Sequence, residues 1–225
     1  MESPLHRLRD ASMFPRRIVA LGSSSIHGRG DFELGGFIHR LRIWHEAQSP
    51  RNFVYQLGIF GESTESLIAR LPMEAGVRRP HLLILYPGFN DIRREGAESS
   101  ENAVSIEEFR NSMAALVECS LKISPTLMLT GFPFEEAKTT PYLGSDWYYL
   151  RADAARYTDV LRQVCEERSC PILDYFKNWD SEKLSNLLAD DGLHCNPTGH
   201  EKLYRELREF LENKFQADKS GSEKR

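Results

Sequence analysis

Two periods of apolar residues alternate along this chain. Ile18-Val19-Ala20-Leu21 is an unbroken apolar run that stops at Gly22, which predicts a strand buried on both faces over Arg17–Gly22. The same signature recurs at 53–57 and at 81–86, where Leu82-Leu83-Ile84-Leu85 leaves no polar face. Between these runs the period lengthens to that of a helix. Residues 33–47 put Leu34, Phe37, Ile38, Leu41 and Trp44 on one stripe, and a shorter helix is expected over 64–71. Ser105, with Glu108 three residues on, has capping-box spacing and opens a helix whose inward stripe is Phe109, Met113, Leu116 and Val117. A fourth strand follows at 126–130, a helix at 149–167 and a short fifth strand beginning at 171–173. Thr198 and Glu201 repeat the capping-box spacing and predict the start of a last helix, with Leu203, Leu207, Phe210 and Leu211 inward. Strands separated by helices require crossovers. Right-handed crossovers produce a three-layer α/β/α sandwich around a five-stranded parallel sheet.

With 225 residues the chain suits one domain. The pattern divides it into an N-terminal extension (1–14), an α/β domain (15–216) and a polar tail (217–225) expected to be disordered. Composition is that of an ordinary globular protein, 40% hydrophobic and 28% charged. A net charge of −4 gives no electrostatic case for nucleic acid or an anionic membrane surface. No apolar run is long enough for a membrane span or resembles a signal-peptide core. Cys119, Cys165, Cys170 and Cys195 lack metal-type spacing and read as packed free thiols. The expectation is a reduced, cytoplasmic protein with no metal, and the pattern leaves its oligomeric state open.

In an open parallel sheet, reactive groups collect beyond the carboxyl ends of the strands. The first predicted strand runs into Ser23-Ser24-Ser25, the second into Gly58-Ile59-Phe60-Gly61, and the third into Gly88-Phe89-Asn90-Asp91. Asp191-Gly192-Leu193-His194 lies ahead of the last helix and sets a carboxylate and an imidazole three residues apart in one turn. Such a carboxylate can hold the ring and select its tautomer, leaving the far nitrogen free to take a proton. One sheet edge thus gathers a hydroxyl, backbone donors, a side-chain amide, an imidazole and a carboxylate, the inventory of acyl transfer.

In this order the residues resemble the motifs of the SGNH hydrolases, also called GDSL esterases/lipases, across nearly the whole chain. Gly22-Ser23-Ser24-Ser25-Ile26-His27-Gly28 is similar to the family's first motif and puts Ser24 at the nucleophile. Gly61 falls at the oxyanion glycine of the second motif, and Gly88-Phe89-Asn90-Asp91 puts Asn90 at the side-chain oxyanion donor. Asp191 and His194 match the final Asp-x-x-His. The resemblance implies a flavodoxin-like SGNH hydrolase fold, a Ser24–His194–Asp191 triad and an oxyanion hole from the Ser24 and Gly61 amides with Asn90. It further implies a small or medium acyl ester as substrate and no cofactor. Ser23 stands where the family has aspartate, which puts the hydrogen bonding of that turn in question. The alternative reading is a catalytically weak module of the same fold that binds a carbohydrate or acyl ligand. Phe132, Phe134, Trp147, Tyr148 and Tyr149 fit either a substrate pocket or the packing of an ordered loop.

Overall fold

The computed structural model describes residues 14–179 and 183–216, so most of the expected extension and all of the expected tail lie outside the described residues. In chain order the elements are β1 (Arg17–Gly22), α1 (Ser24–His27), α2 (Gly36–Glu46), β2 (Phe53–Gly58), α3 (Thr64–Arg78) and β3 (Leu82–Tyr86). Next come β4 (Arg94–Glu95), α4 (Ile106–Ile123), β5 (Thr126–Leu129), α5 (Glu136–Thr139) and β6 (Trp147–Tyr148). The chain continues through α6 (Arg151–Glu167), β7 (Ile172–Leu173), α7 (Tyr175–Asn178), a 3-10 turn at Leu184–Asn186 and α8 (Pro197–Gln216).

Five strands form one sheet in the order β2-β1-β3-β5-β7, every pairing parallel. Helix α2 packs on α8, while α3, α4 and α6 pack in series. This is the expected three-layer α/β sandwich, and β1, β3 and β5 are buried along their whole length or nearly so. The chain leaves β1 toward one edge and returns to β3 on its other side. The switch point, where doubly wound sheets open a crevice, therefore lies between β1 and β3. Ser24 and Asn90 follow those two strands.

Several element boundaries differ from the sequence expectation. Helix α2 starts at Gly36 rather than 33, because Gly35 and Gly36 take positive φ values of 64° and 83° and interrupt the helix ahead of it. Leu34 is consequently left 47% exposed. Helix α3 runs on to Arg78, its buried stripe of Leu67, Leu71 and Ala75 continuing past Pro72. The capping box at Ser105 and Glu108 forms in full. The one expected at Thr198 and Glu201 does not. Helix α8 begins at Pro197, a favoured first helical residue, and Asn196 Oδ1 caps it by accepting from the Gly199 N–H at 2.9 Å. Glu201 instead receives Arg40 Nε at 3.1 Å. All four cysteines are free, as expected, and Cys165, Cys170 and Cys195 are buried.

Arg40 occupies a position on α2 that the apolar stripe does not announce. It is buried and paired with buried Asp31, whose carboxylate also accepts from the Gly36 N–H at 3.0 Å. Burial works to raise the Asp31 pKa, yet Arg40 and the Gly36 and Leu34 amides outweigh it and hold the carboxyl below its ordinary value. The stabilisation from this depressed group is present above about pH 5 and is lost as pH falls through the folded-state value. Asp31→Ala, which removes one of the two carboxylates on Arg40 and leaves Glu201 in place, is expected to cost about 1–3 kcal/mol in urea unfolding at neutral pH. The same variant should show less stability loss than the parent between about pH 5 and pH 2.

Candidate active site

Ser24 is placed by backbone constraints on both sides. At Gly22 φ is 155°, and a Cβ there would lie 2.5 Å from the Tyr86 carbonyl oxygen, so β1 can approach the end of β3 this closely only through glycine. The chain then turns into the single turn of α1, with Ser24 as its first residue. Gly30, with φ of 91°, presses against the other side of the site: a Cβ there would sit 2.0 Å from the Cys195 carbonyl oxygen. The segment after Ser24 is thus packed directly on the segment that carries His194. Buried His200 on α8 reinforces the contact. Its Nδ1 accepts from the Phe37 N–H at 3.2 Å, which leaves Nε2–H to donate to the Arg29 carbonyl at 2.9 Å.

The second and third turns are tied to each other. Asn90 Nδ2 donates to the Glu62 carbonyl at 2.9 Å, and the Asp91 carboxylate accepts from the Thr64 N–H at 3.1 Å and the Thr64 hydroxyl at 2.5 Å. Burial pushes the Asp91 pKa up despite those donors. The Glu62 carboxylate is held by Arg70, whose guanidinium also reaches the Leu57 carbonyl at 2.9 Å. This pair of buried Glu62 and half-buried Arg70, for which the sequence pattern offers no signal, fixes the turn containing Gly61 (φ 71°) against the end of β2.

The Asp191–His194 turn closes on itself. Asp191 Oδ1 accepts from the Leu193 and His194 amides at 3.0 and 2.9 Å, while Oδ2 accepts from His194 Nδ1 at 2.7 Å. Burial alone would raise the Asp191 pKa, but the His194 ring and these amides hold it well below the usual carboxylate range. With Nδ1–H given to the carboxylate, Nε2 is the acceptor, and it lies 2.8 Å from Ser24 Oγ. Asp190, its neighbour, is exposed. Ser25 hydrogen-bonds Tyr86, whose buried hydroxyl has its pKa pushed up.

One further partner of the site carries no sequence signal. Tyr142 Oη donates to Asp191 Oδ2 at 3.1 Å. Tyr142 lies on the excursion between β5 and α6, where its N–H donates to the Trp147 carbonyl at 2.7 Å and the Tyr149 N–H to the Thr139 carbonyl at 3.0 Å. The antiparallel pair β4–β6 joins that excursion to the segment following Asn90. Burial, with the Asp191 charge, raises the Tyr142 pKa, so the hydroxyl remains a donor through neutral pH.

Ser24, Gly61, Asn90 and His194 all border one cleft of about 290 Å³. Phe132, Trp147 and Tyr149 also line it, whereas Phe134 is fully buried and packs edge-on against Phe89. The aromatic cluster of the excursion therefore serves both purposes, cleft wall and packing.

A serine hydroxyl on an imidazole, a carboxylate behind that ring, and two turns carrying a glycine and an asparagine amide thus meet at the switch point of a parallel sheet. Over residues 20–202 the chain matches the GDSL-like Lipase/Acylhydrolase family, and it belongs to that family. It is a carboxylic ester hydrolase of the SGNH/GDSL type. Solved structures share its fold at low identity. The lipase/acylhydrolase from Enterococcus faecalis superposes with a TM-score of 0.70 at 18% identity, covering 88% of this chain and 96% of that one. A single-site variant of Axe2, an acetyl xylan esterase from Geobacillus stearothermophilus, gives 0.66 at 20% identity, with 87% and 94% covered. The psychrotrophic esterase EstA from Pseudoalteromonas sp. gives 0.66 at 18%, with 88% and 97% covered. No curated protein sequence matches the chain. No helix among the described residues is long and apolar enough to cross a membrane.

Proposed function

We propose that this protein is a serine esterase acting on small or medium acyl esters through an acyl-enzyme on Ser24. The observation that carries the reading is the unbroken chain Ser24 Oγ–His194 Nε2–His194 Nδ1–Asp191 Oδ2, with links of 2.8 and 2.7 Å. Ser24 Oγ attacks the ester carbonyl carbon and its proton passes to His194 Nε2, while Asp191 stabilises the imidazolium. Collapse of the tetrahedral intermediate breaks the bond to the alcohol oxygen, which leaves with the proton from His194. Water then attacks the acyl-enzyme with His194 again as base, and Ser24 is regenerated as the carboxylic acid departs.

The developing oxyanion is received by the backbone N–H groups of Ser24 and Gly61 and by the Asn90 side chain. A primary amide has two N–H donors. One of Asn90's is spent on the Glu62 carbonyl, and the other remains for the oxyanion in the cleft that Asn90 lines. Asn90→Ala is expected to lower kcat about 10²- to 10³-fold with little change in KM, since the donor acts on the transition state. The reaction needs no metal or organic cofactor. Two acetyl xylan esterases among the structures sharing the fold, together with the modest cleft, favour short acyl groups and include acetylated sugars as candidates. The free thiols favour a reducing compartment, the cytoplasm.

Turnover of p-nitrophenyl acetate and butyrate by purified protein tests the reading, alongside labelling by a fluorophosphonate. Stoichiometric label on Ser24 is the expected result. An unlabelled protein that turns over neither ester would overturn it in favour of a ligand-binding module.

A further inference from the structure

The cleft contains one charged side chain that ester hydrolysis as described above does not use. Its wall is built from serine hydroxyls, an amide and aromatic rings, and among the described residues that line it there is no aspartate or glutamate. Arg29 is the only arginine or lysine on that wall among the described residues, and its side chain is 38% exposed.

Arg29 is not consumed by the carboxylate behind it. Its Nε stands 3.7 Å from Asp191 Oδ2, a long ion pair outside hydrogen-bond range. Asp191 already accepts four shorter bonds, from the Leu193 and His194 amides, the His194 ring and Tyr142. A carboxylate has about four lone-pair sites, so its capacity is filled without Arg29. The guanidinium carbon lies 5.8 Å from the centre of the Phe60 ring, which also lines the cleft, a cation–π contact that keeps the partly exposed guanidinium at the wall. Its main chain is firmly held: the Arg29 N–H donates to the Ser24 carbonyl at 3.0 Å and its carbonyl accepts from His200 at 2.9 Å. The charge therefore stands on a fixed base beside Ser24. Arg93 does not line the cleft: it stacks on Trp147 with its charge paired to Glu95, so it does not compete for the role.

We propose that Arg29 is a specificity residue for esters that carry a second, anionic group, a carboxylate or a phosphate, which its guanidinium binds while Ser24 attacks the ester carbonyl. The proposal rests on the esterase reading and narrows its substrate class.

Two matched ester pairs test it. para-Acetoxybenzoate against its methyl ester puts the acid on the alcohol side. p-Nitrophenyl hydrogen adipate against p-nitrophenyl methyl adipate puts it on the acyl side. The ratio of kcat/KM for acid over neutral ester is expected to exceed about tenfold in at least one pair, as a charge-assisted bidentate contact allows. It is expected to fall toward unity in Arg29→Gln and to be partly kept in Arg29→Lys. Taking the ratio cancels any damage common to both esters. Equal ratios in parent and Arg29→Gln for both pairs would overturn the proposal. Calorimetric titration with phenylacetate and phenylacetamide needs no turnover and separates the two readings. If no ester is hydrolysed, the esterase reading falls, and the anion site still stands or falls on whether the parent binds phenylacetate more tightly and Arg29→Gln loses that preference.

Discussion

Ser24→Ala is expected to lower kcat for p-nitrophenyl acetate by about 10⁵- to 10⁶-fold while leaving the fold intact, because it removes the atom proposed to form the acyl-enzyme. His194→Ala is expected to lose nearly as much. The double variant should lose little more than either single one, since groups that act as a unit contribute non-additively. The loss of one hydroxyl oxygen from a residue lining the cleft opens no large cavity, so thermal unfolding of Ser24→Ala should track the parent. The measurement is steady-state hydrolysis with protein concentration fixed by absorbance, and circular dichroism as the folding control. Retention of most activity by Ser24→Ala would transfer the nucleophile to another group and dismantle the proposed mechanism.

The second large effect concerns the ring's orientation. Asp191→Asn is expected to cut kcat by about 10⁴-fold, even though it is nearly isosteric. An asparagine amide nitrogen facing Nδ1 would drive the proton to Nε2, and Nε2 would then present a hydrogen to Ser24 in place of a lone pair. Raising the pH cannot restore the tautomer, so the loss should persist across the alkaline range. Asp191 also carries a stability consequence of determined sign. Its folded-state pKa lies below the unfolded value, so its contribution is complete above about pH 5 and disappears as pH falls through the folded value. Urea unfolding at a series of pH values should therefore show a shallower acid-side decline for Asp191→Asn than for the parent. A parallel decline would mean that the His194 ring and the Leu193 and His194 amides do not stabilise the carboxylate.

The parts of the fold that can be read from the sequence are those whose signal is local. Leu82 to Leu85 can only be buried on both faces, and the Ser105–Glu108 spacing carries its own cap. The ends of β1 and β3 deliver Ser24 and Asn90 to the same crevice, and the Asp191 turn holds its carboxylate and imidazole within four residues. What cannot be read rests on pairings between distant residues. The start of α2 depends on two glycines in left-handed geometry and on the carboxylate of Asp31, not on the apolar stripe that continues through Leu34. Thr198 and Glu201 have the right spacing for a cap, but Pro197 is already helical and Asn196 takes the capping role. The two-residue strands β4 and β6 are too short to show a period, and the Glu62–Arg70 pair has no motif. Tyr142 and Arg29 escape sequence reasoning as members of the site. A single tyrosine in an irregular excursion, or an arginine after a glycine, resembles any surface residue until the chain is folded.

The hydroxyl of Tyr142 makes the excursion between β5 and α6 part of what holds the Asp191 carboxylate, not a passive rim. A chimaera that transplants a different insertion at 134–150 to broaden substrate range would strip one donor from the acid beside the imidazole. The new insertion would also forfeit the β4–β6 tether that seats it next to Asn90. Redesign of this enzyme's selectivity through that insertion is therefore coupled to its turnover, and a donor replacing the phenol has to be supplied with the graft.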